Sequence, residues 1–378
     1  MRNYFSNYQI DKLDVLFPDL TNLFIIILFF GVVVATTRKN QSDAKNFLHV
    51  SHTDQLRGLA IFFVVLGHLW VHVSRTQAHV ILSDEAVALF LIISGFGLTI
   101  SNMREKPGLQ EYFSRRIKRV MVPYWIATIV IIFLDYVILG NLLPAGSLLL
   151  TFLGVNLKIE LLRLDYVRWF VTFILFWYLL FFLNCRTDHR GRFMVSLLVI
   201  GFLLLPLNYY IFHFTWYQFL SFPVGCVLAA YHDRLVTVYQ NRRRTFLVTS
   251  ILAILCVLTY KFMMGHEGIK AIVIGKLPNI LLAYLSEINS LMLSLGIIFV
   301  FGYLVEKGYK SKLLLLLGRY SYEIFLLHGV FLIKYNPVIR DRGIVLLVLE
   351  FSLLIALVVA LSSLTYKASR LRYAGKTS

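Results

Sequence analysis

The sequence predicts an all-α fold, a polytopic transmembrane helix bundle of about ten to eleven spans, and three observations carry that expectation. Of the 378 residues, 58% are hydrophobic and only 15% are charged, against about 25% charged in an ordinary soluble domain. The mean hydropathy is +0.74. The apolar runs repeatedly reach the roughly 20 residues that a helix needs to cross about 30 Å of hydrocarbon, whereas helices of a soluble core are shorter and striped on one face.

The spans fall near 20–36, 55–73, 82–100, 120–139, 166–184, 193–212, 214–231, 245–264, 287–305, 316–334 and 343–366. Two further stretches are apolar but interrupted: 142–157 by Pro144 and Gly146, and 269–285 by Gly275 and Pro278. Both read as interfacial or re-entrant, a course tolerated where protein or water satisfies the backbone. The first span lacks the basic leader and small-residue cleavage site of a signal peptide, since Asp11, Asp14 and Asp19 precede it with only Arg2 and Lys12. It is expected to be retained. Of the 37 Lys and Arg, 23 lie in one alternating set of loops and 12 in the other. The richer set is expected in the cytoplasm, which puts the N-terminus outside and the C-terminus inside. The chain divides into an N-terminal tail, extra helix and linker over 1–50 and a membrane domain over 51–378.

A formal net charge of +17 on a soluble protein would point to nucleic acid. Here the positive-inside bias accounts for most of it, and no nucleic-acid partner is expected. Cys185, Cys226 and Cys256 have no metal-ligand spacing, so no metal site is expected.

An ionisable group inside a bilayer is costly and therefore a functional candidate. Arg57 stands at the start of the second span and His68 eleven residues on. That is roughly 16 Å along the axis at about 1.5 Å per residue, on nearly the same helix face. The bland alternative is a hydrogen-bonded His and an Arg snorkelling to headgroups. Gly58 and Gly67 on this span permit close backbone approach. Arg115, Arg116, Lys118 and Arg119 form a basic cluster before the fourth span. Such a cluster suits a polyphosphate or, more plainly, anionic lipid. Arg116 and Arg119, at i and i+3, are expected on one face. In the tenth span Arg319 and Glu323 are i, i+4, the spacing of an intrahelical ion pair, and His328 lies deeper, able to meet the second span across the bundle. His72 points like His68 but lies nearer the outer surface. The remaining histidines fall in loops or near span ends and carry no expected role.

Taken together, these segments resemble the acyltransferase-3 family of integral membrane acyltransferases. The resemblance rests on Asp54-Gln-Leu-Arg57-Gly-Leu-Ala60 with the Arg-x10-His spacing to His68, and on Phe90-Leu-Ile-Ile-Ser94-Gly95-Phe96. Arg116-x-x-Arg119 before Pro123-Tyr124, Arg168-Trp169-Phe170-Val171, and Gly318-Arg319-Tyr320-Ser321-Tyr322 closing on His328 complete it. It extends over about 50–366, with 190–310 similar only as hydrophobic helices. It implies a bundle of about ten helices that moves an acyl group, often acetyl, from cytoplasmic acyl-CoA to a hydroxyl of a cell-surface polysaccharide or lipid-linked glycan. His68 is then the expected catalytic histidine, with Glu323 and His328 in a family motif of less defined role. Arg57, Arg115, Arg116, Lys118 and Arg119 would meet the acyl-CoA, which acts as donor substrate with no bound cofactor. The chain departs from the family pattern in its extra first span. It also shows no fused extracytoplasmic domain, which implies either direct transfer or hand-off to a separate partner. A bacterial plasma membrane is the expected location.

A sugar hydroxyl is a weak nucleophile, and an imidazole suits the task of taking its proton or of carrying the acyl group transiently. Two other readings compete. A transporter or flippase for a glycan intermediate would also use intramembrane His, Arg and Glu, but no repeat symmetry or paired broken helices are visible in the sequence. A non-catalytic subunit of a polysaccharide machine would have no need of buried ionisable groups.

Overall fold

A computed structural model describes residues 12–39, 47–140, 143–157, 164–185, 190–212 and 218–374. The fold is an all-α polytopic bundle. In chain order the elements are α1 (Pro18–Ala35), β1 (Thr37–Lys39), α2 (Val50–His68), α3 (Ser83–Glu105), α4 (Leu109–Arg116), α5 (Val122–Leu139), α6 (Ala145–Phe152), α7 (Trp169–Asn184), α8 (Arg190–Leu207) and α9 (Ser221–Ala230). There follow α10 (His232–Asn241), α11 (Arg243–Gly265), α12 (Glu267–Lys276), α13 (Asn279–Glu306), β2 (Tyr309–Ser311), α14 (Lys312–Arg319), α15 (Ser321–His328) and α16 (Ile344–Ala374).

Among the described residues, eight helices are long and apolar enough to cross a membrane, and the bent pair α14–α15, taken as one span, makes a ninth. The α7 and α9 helices are apolar but only 16 and 10 residues long, about 24 and 15 Å at 1.5 Å per residue. Each of the eleven expected spans is thus a helix or contains one, but three differ from the expectation. The seventh is helical only over α9 among the described residues, and residues 214–217 of the expected 214–231 lie outside them. The ninth begins at Asn279, well before 287. The tenth bends by 66° between Arg319 and Ser321. The interrupted stretches 142–157 and 269–285 contain the short helices α6 and α12.

The α2 helix is the axis of the bundle: from Leu56 to Gly67 only Arg57 is not buried. Around it, α11 and α16 show most of their length to the surroundings, as lipid-facing helices must when the surrounding solvent is itself apolar. Two crossings set the bundle's spacing. A Cβ on Gly58 would lie 2.1 Å from the Leu314 carbonyl oxygen, and one on Gly318 would lie 1.9 Å from that of Asp54. Backbone of α14 therefore rests directly on backbone of α2. Gly95 and Gly225 do the same for α3 against α9, at 2.3 Å from the Phe222 oxygen and 2.1 Å from the Ile92 oxygen. Small residues permit such contact where no hydrophobic effect drives association. Gly67, expected to allow a similar approach, faces the Ser83 side chain instead.

The first helix is stitched to this core by a short antiparallel pair, β1 with β2, Thr37 opposite Ser311. The Ser311 N–H donates to the Gln55 side chain of α2 at 2.8 Å. Several buried polar groups elsewhere are paired across elements, as hydrocarbon favours. Glu85 meets Lys261 at 2.7 Å, joining α3 to α11. The Glu287 carboxylate accepts from the Phe219 and Leu220 N–H groups at 2.7 and 3.2 Å, satisfying two donors ahead of α9 that have no partner in the helix.

Replacing Gly58 with Leu forces a side chain into the Leu314 backbone. The expected outcome is a loss of about 1–3 kcal/mol, read as a lower melting temperature in detergent, whereas Gly31→Ala on α1, with open space around it, leaves melting unchanged.

Candidate active site

The two histidines singled out from the sequence meet. His68 ends α2 and His328 ends α15, and their rings lie 5.1 Å apart, tilted by 48°. His72 stacks on His68 at 5.1 Å and 20°, so three imidazoles gather within the bundle. Each of the two principal histidines stands where an α-helix widens into a π-helical turn, Leu69–Val73 after His68 and Gly329–Lys334 after His328. Such turns recur at functional sites. The wider turn places His72 over His68.

His328 is fully buried. Its Nδ1 lies 2.8 Å from the Phe325 carbonyl and 3.2 Å from that of Ile324. A carbonyl can only accept, so Nδ1 carries the proton and Nε2 presents a lone pair. That Nε2, and Nδ1 of the half-buried His68, have no hydrogen-bond partner among the described residues. The pair has the form of a proton acceptor whose orientation is fixed by its own helix.

The other expected site residues spread toward the opposite end of α2, here termed the basic face. Arg57 donates to Asp54 at 2.8 Å and is about one-third exposed. Arg115 is held by Glu105 and Glu111, which leaves little of its charge for a ligand. Arg116 lies against the rings of Tyr112 and Tyr178, 5.4 and 5.5 Å from their centres, with Nε buried and without a partner. Lys118 and Arg119 are exposed. Arg116 is half-buried and Arg119 exposed, and the segment between them enters the π-helical turn Ile117–Met121 rather than continuing the α-helix on which their i, i+3 spacing was read. Glu323 is buried on α15, about 7.5 Å nearer the basic face than His328 at 1.5 Å per residue. Arg319 is exposed across the 66° bend, so the two do not lie on one continuous helix as their i, i+4 spacing implied. Tyr322 ties this end of α15 to the basic segment by donating to the Val120 carbonyl at 3.0 Å.

A second polar group lies beside His328 and was given no role from the sequence. Lys334, at the end of the π-helical turn, pairs with Asp135 of α5 and donates to the Leu164 carbonyl at 3.0 Å. Tyr335 also binds Asp135. Asp165 and Arg168 are both buried, on the turn that leads into α7. Asp135 stands within an apolar run, and that alone was the available signal: the rule that flagged His68 applies equally to it. Its partner, 199 residues away, could not be read from the chain. Among the described residues, no group of three or more His, Cys, Asp or Glu is placed to hold a metal ion.

Residues 52–367 match the family profile described as an acyltransferase domain, that of the acyltransferase-3 family. The chain belongs to this family. It is a multi-pass membrane acyltransferase, and the resemblance read from Arg57, His68, the basic pair and His328 is the same assignment. No curated protein and no solved structure matches the chain.

In this acyltransferase the Asp135–Lys334 pair fixes the π-helical turn that follows His328. Asp135→Asn alone leaves a buried ammonium without its counter-charge and is expected to cost about 3–5 kcal/mol. The double change Asp135→Leu with Lys334→Met recovers most of the melting temperature in detergent; a double variant no more stable than the single one would disprove the coupling.

Proposed function

We propose that the enzyme takes an acyl group, acetyl as the first expectation, from acyl-CoA at the cytoplasmic face and places it on a hydroxyl of a cell-surface polysaccharide or lipid-linked glycan. The observation that carries this reading is the His68–His328 pair, two adjacent imidazoles with unpartnered nitrogens deep in a hydrophobic bundle. An imidazole there takes the acceptor's proton as its oxygen attacks the thioester carbonyl. It returns the proton to the departing thiolate, so that acyl-CoA and alcohol become ester and free CoA with no net proton released. Of the two, His328 has its tautomer set for the role of base by the Phe325 carbonyl. His68 lies beside it at the end of the helix that rises from Arg57.

The basic face fits the donor. It carries Arg57, Arg116, Lys118 and Arg119, and the same loops hold the excess of Lys and Arg that favours a cytoplasmic location. Exposed cations at a membrane surface suit the phosphates of CoA. The acceptor then approaches from the other side, by direct transfer or through a separate extracytoplasmic partner. The cytoplasmic membrane of a bacterium is the proposed location, and the donor is a substrate rather than a bound cofactor.

His68→Ala is expected to abolish incorporation of label from acetyl-CoA into glycan in native membranes while the protein still accumulates folded; full activity in this variant would remove His68 from the mechanism, and full activity of His328→Ala as well would refute it. Joint replacement of Arg116 and Arg119 by Gln raises the KM for acyl-CoA and flattens its dependence on salt. An unchanged KM would remove the phosphate assignment and leave the histidine chemistry standing.

A further inference from the structure

Arg168 is fully buried in an apolar helical bundle. It enters on the short 3-10 turn Tyr166–Arg168 that leads into α7. One of its nitrogens is used: Nη1 donates to Thr128 Oγ1 at 2.6 Å. Nε and Nη2 are buried and have no hydrogen-bond partner among the described residues. These two carry the parallel N–H bonds along one edge of the guanidinium, the edge that grips oxygen lone pairs two at a time. Leaving that edge without hydrogen-bond partners in an apolar interior is expensive, and the buried Asp165 offsets it only through its charge, with no hydrogen bond to the guanidinium. Asp165, three residues earlier, accepts from the Val167 N–H through Oδ1 at 3.4 Å, and its Oδ2 is likewise without a partner.

The guanidinium is also held still. The Thr128 hydroxyl that receives Nη1 itself donates to the Tyr124 carbonyl at 2.6 Å. The Arg168 guanidinium carbon stands 4.8 Å from the centre of the Tyr124 ring. That ring is pinned in turn by its hydroxyl, which donates to the Thr151 carbonyl at 2.7 Å. A buried cation fixed through Nη1 and unpartnered at Nε and Nη2 is preorganised for an oxygen that gains negative charge.

The turn bearing Arg168 is packed onto the histidine helix. A Cβ on Gly329, the residue after His328, would lie 2.3 Å from Asp165 Oδ1. Phe170, two residues past Arg168, meets the ring of Phe325 at 5.1 Å, and the Phe325 carbonyl is the one that orients His328. The open edge of Arg168 and the open nitrogen of His328 thus belong to one packed unit.

We propose that the Nε/Nη2 edge of Arg168 is an oxyanion-binding site that receives the acyl carbonyl oxygen during transfer. The assignment rests on the acyl-transfer reading above. As the acceptor oxygen bonds to the thioester carbon, the carbonyl π pair moves onto its oxygen, and Arg168 donates two hydrogen bonds to it. The imidazole holds the acceptor's proton. When the carbonyl re-forms, the carbon–sulfur bond breaks and the thiolate leaves with that proton. Arg168 stays charged throughout and transfers nothing.

The test uses the full-length protein in native membranes with labelled acetyl-CoA, with activity normalised to folded protein. Arg168→Lys keeps the charge and loses the paired donors. Its kcat is expected to fall on the order of 10²- to 10³-fold while the KM for acetyl-CoA is unchanged. Arg168→Ala is expected to regain activity with added guanidinium and not with methylammonium. Arg168→Lys with kcat within a few-fold of the parent overturns the site. So does a variant that fails to accumulate folded, or one whose loss appears in KM alone, since each marks a structural or donor-binding role. His68→Ala and His328→Ala run in parallel separate the two claims: full activity in both defeats the acyl-transfer reading, whereas loss in either beside a fully active Arg168→Lys defeats only the oxyanion site.

Discussion

The close backbone contact between α2 and the α14–α15 pair governs the rest of the molecule. Gly58 against the Leu314 carbonyl and Gly318 against the Asp54 carbonyl remove a layer of side chains that would otherwise hold these helices apart. Nothing in a lipid environment drives helices together as water does, so backbone proximity of this kind has to be built from small residues. It brings the ends of α2 and α15 close enough for His68 and His328 to meet. The bend at Tyr320 then lets α14 follow α2 at its base while α15 carries His328 into the bundle.

Hydrocarbon imposes the second constraint, that polar groups find partners within the protein. Most do so, and the satisfied ones are framework. Glu85 with Lys261, Glu287 with the N–H groups ahead of α9, and Asp135 with Lys334 each tie together elements remote in the chain. Of the buried atoms without hydrogen-bond partners among the described residues, which include Glu85 Oε2 and Trp177 Nε1, four belong to the histidine pair and to Arg168 on the turn beside it. His68 Nδ1, His328 Nε2, and Nε and Nη2 of Arg168 lie on α2, α15 and the turn packed against α15. Acyl transfer calls for groups of these kinds: a base for the acceptor's proton and donors for the carbonyl oxygen.

The basic face has a different character. Its side chains are partly exposed, and several are already engaged, Arg57 by Asp54 and Arg115 by two glutamates. The π-helical turn from Ile117 to Met121 separates Arg116, which lies against two tyrosines, from the exposed Arg119. A face of this kind is suited to a flexible polyphosphate met at a membrane surface more than to a rigidly held ligand.

Composition and run length determined the membrane bundle, because a chain this apolar has no other way to cover its surface. The eleven-residue interval from Arg57 to His68 likewise placed an imidazole deep in a span, since helix rise and rotation are properties of the backbone alone. His328 was legible as a group too polar for lipid, and Asp135 could have been found by the same rule. Only the tertiary structure decided which groups meet. The His68–His328 pairing, the Asp135–Lys334 bridge and the open edge of Arg168 all depend on contacts between segments tens to hundreds of residues apart. The bend at Tyr320 and the π-helical turns are equally tertiary, because they arise where packing against neighbouring helices outweighs the local preference for a straight α-helix.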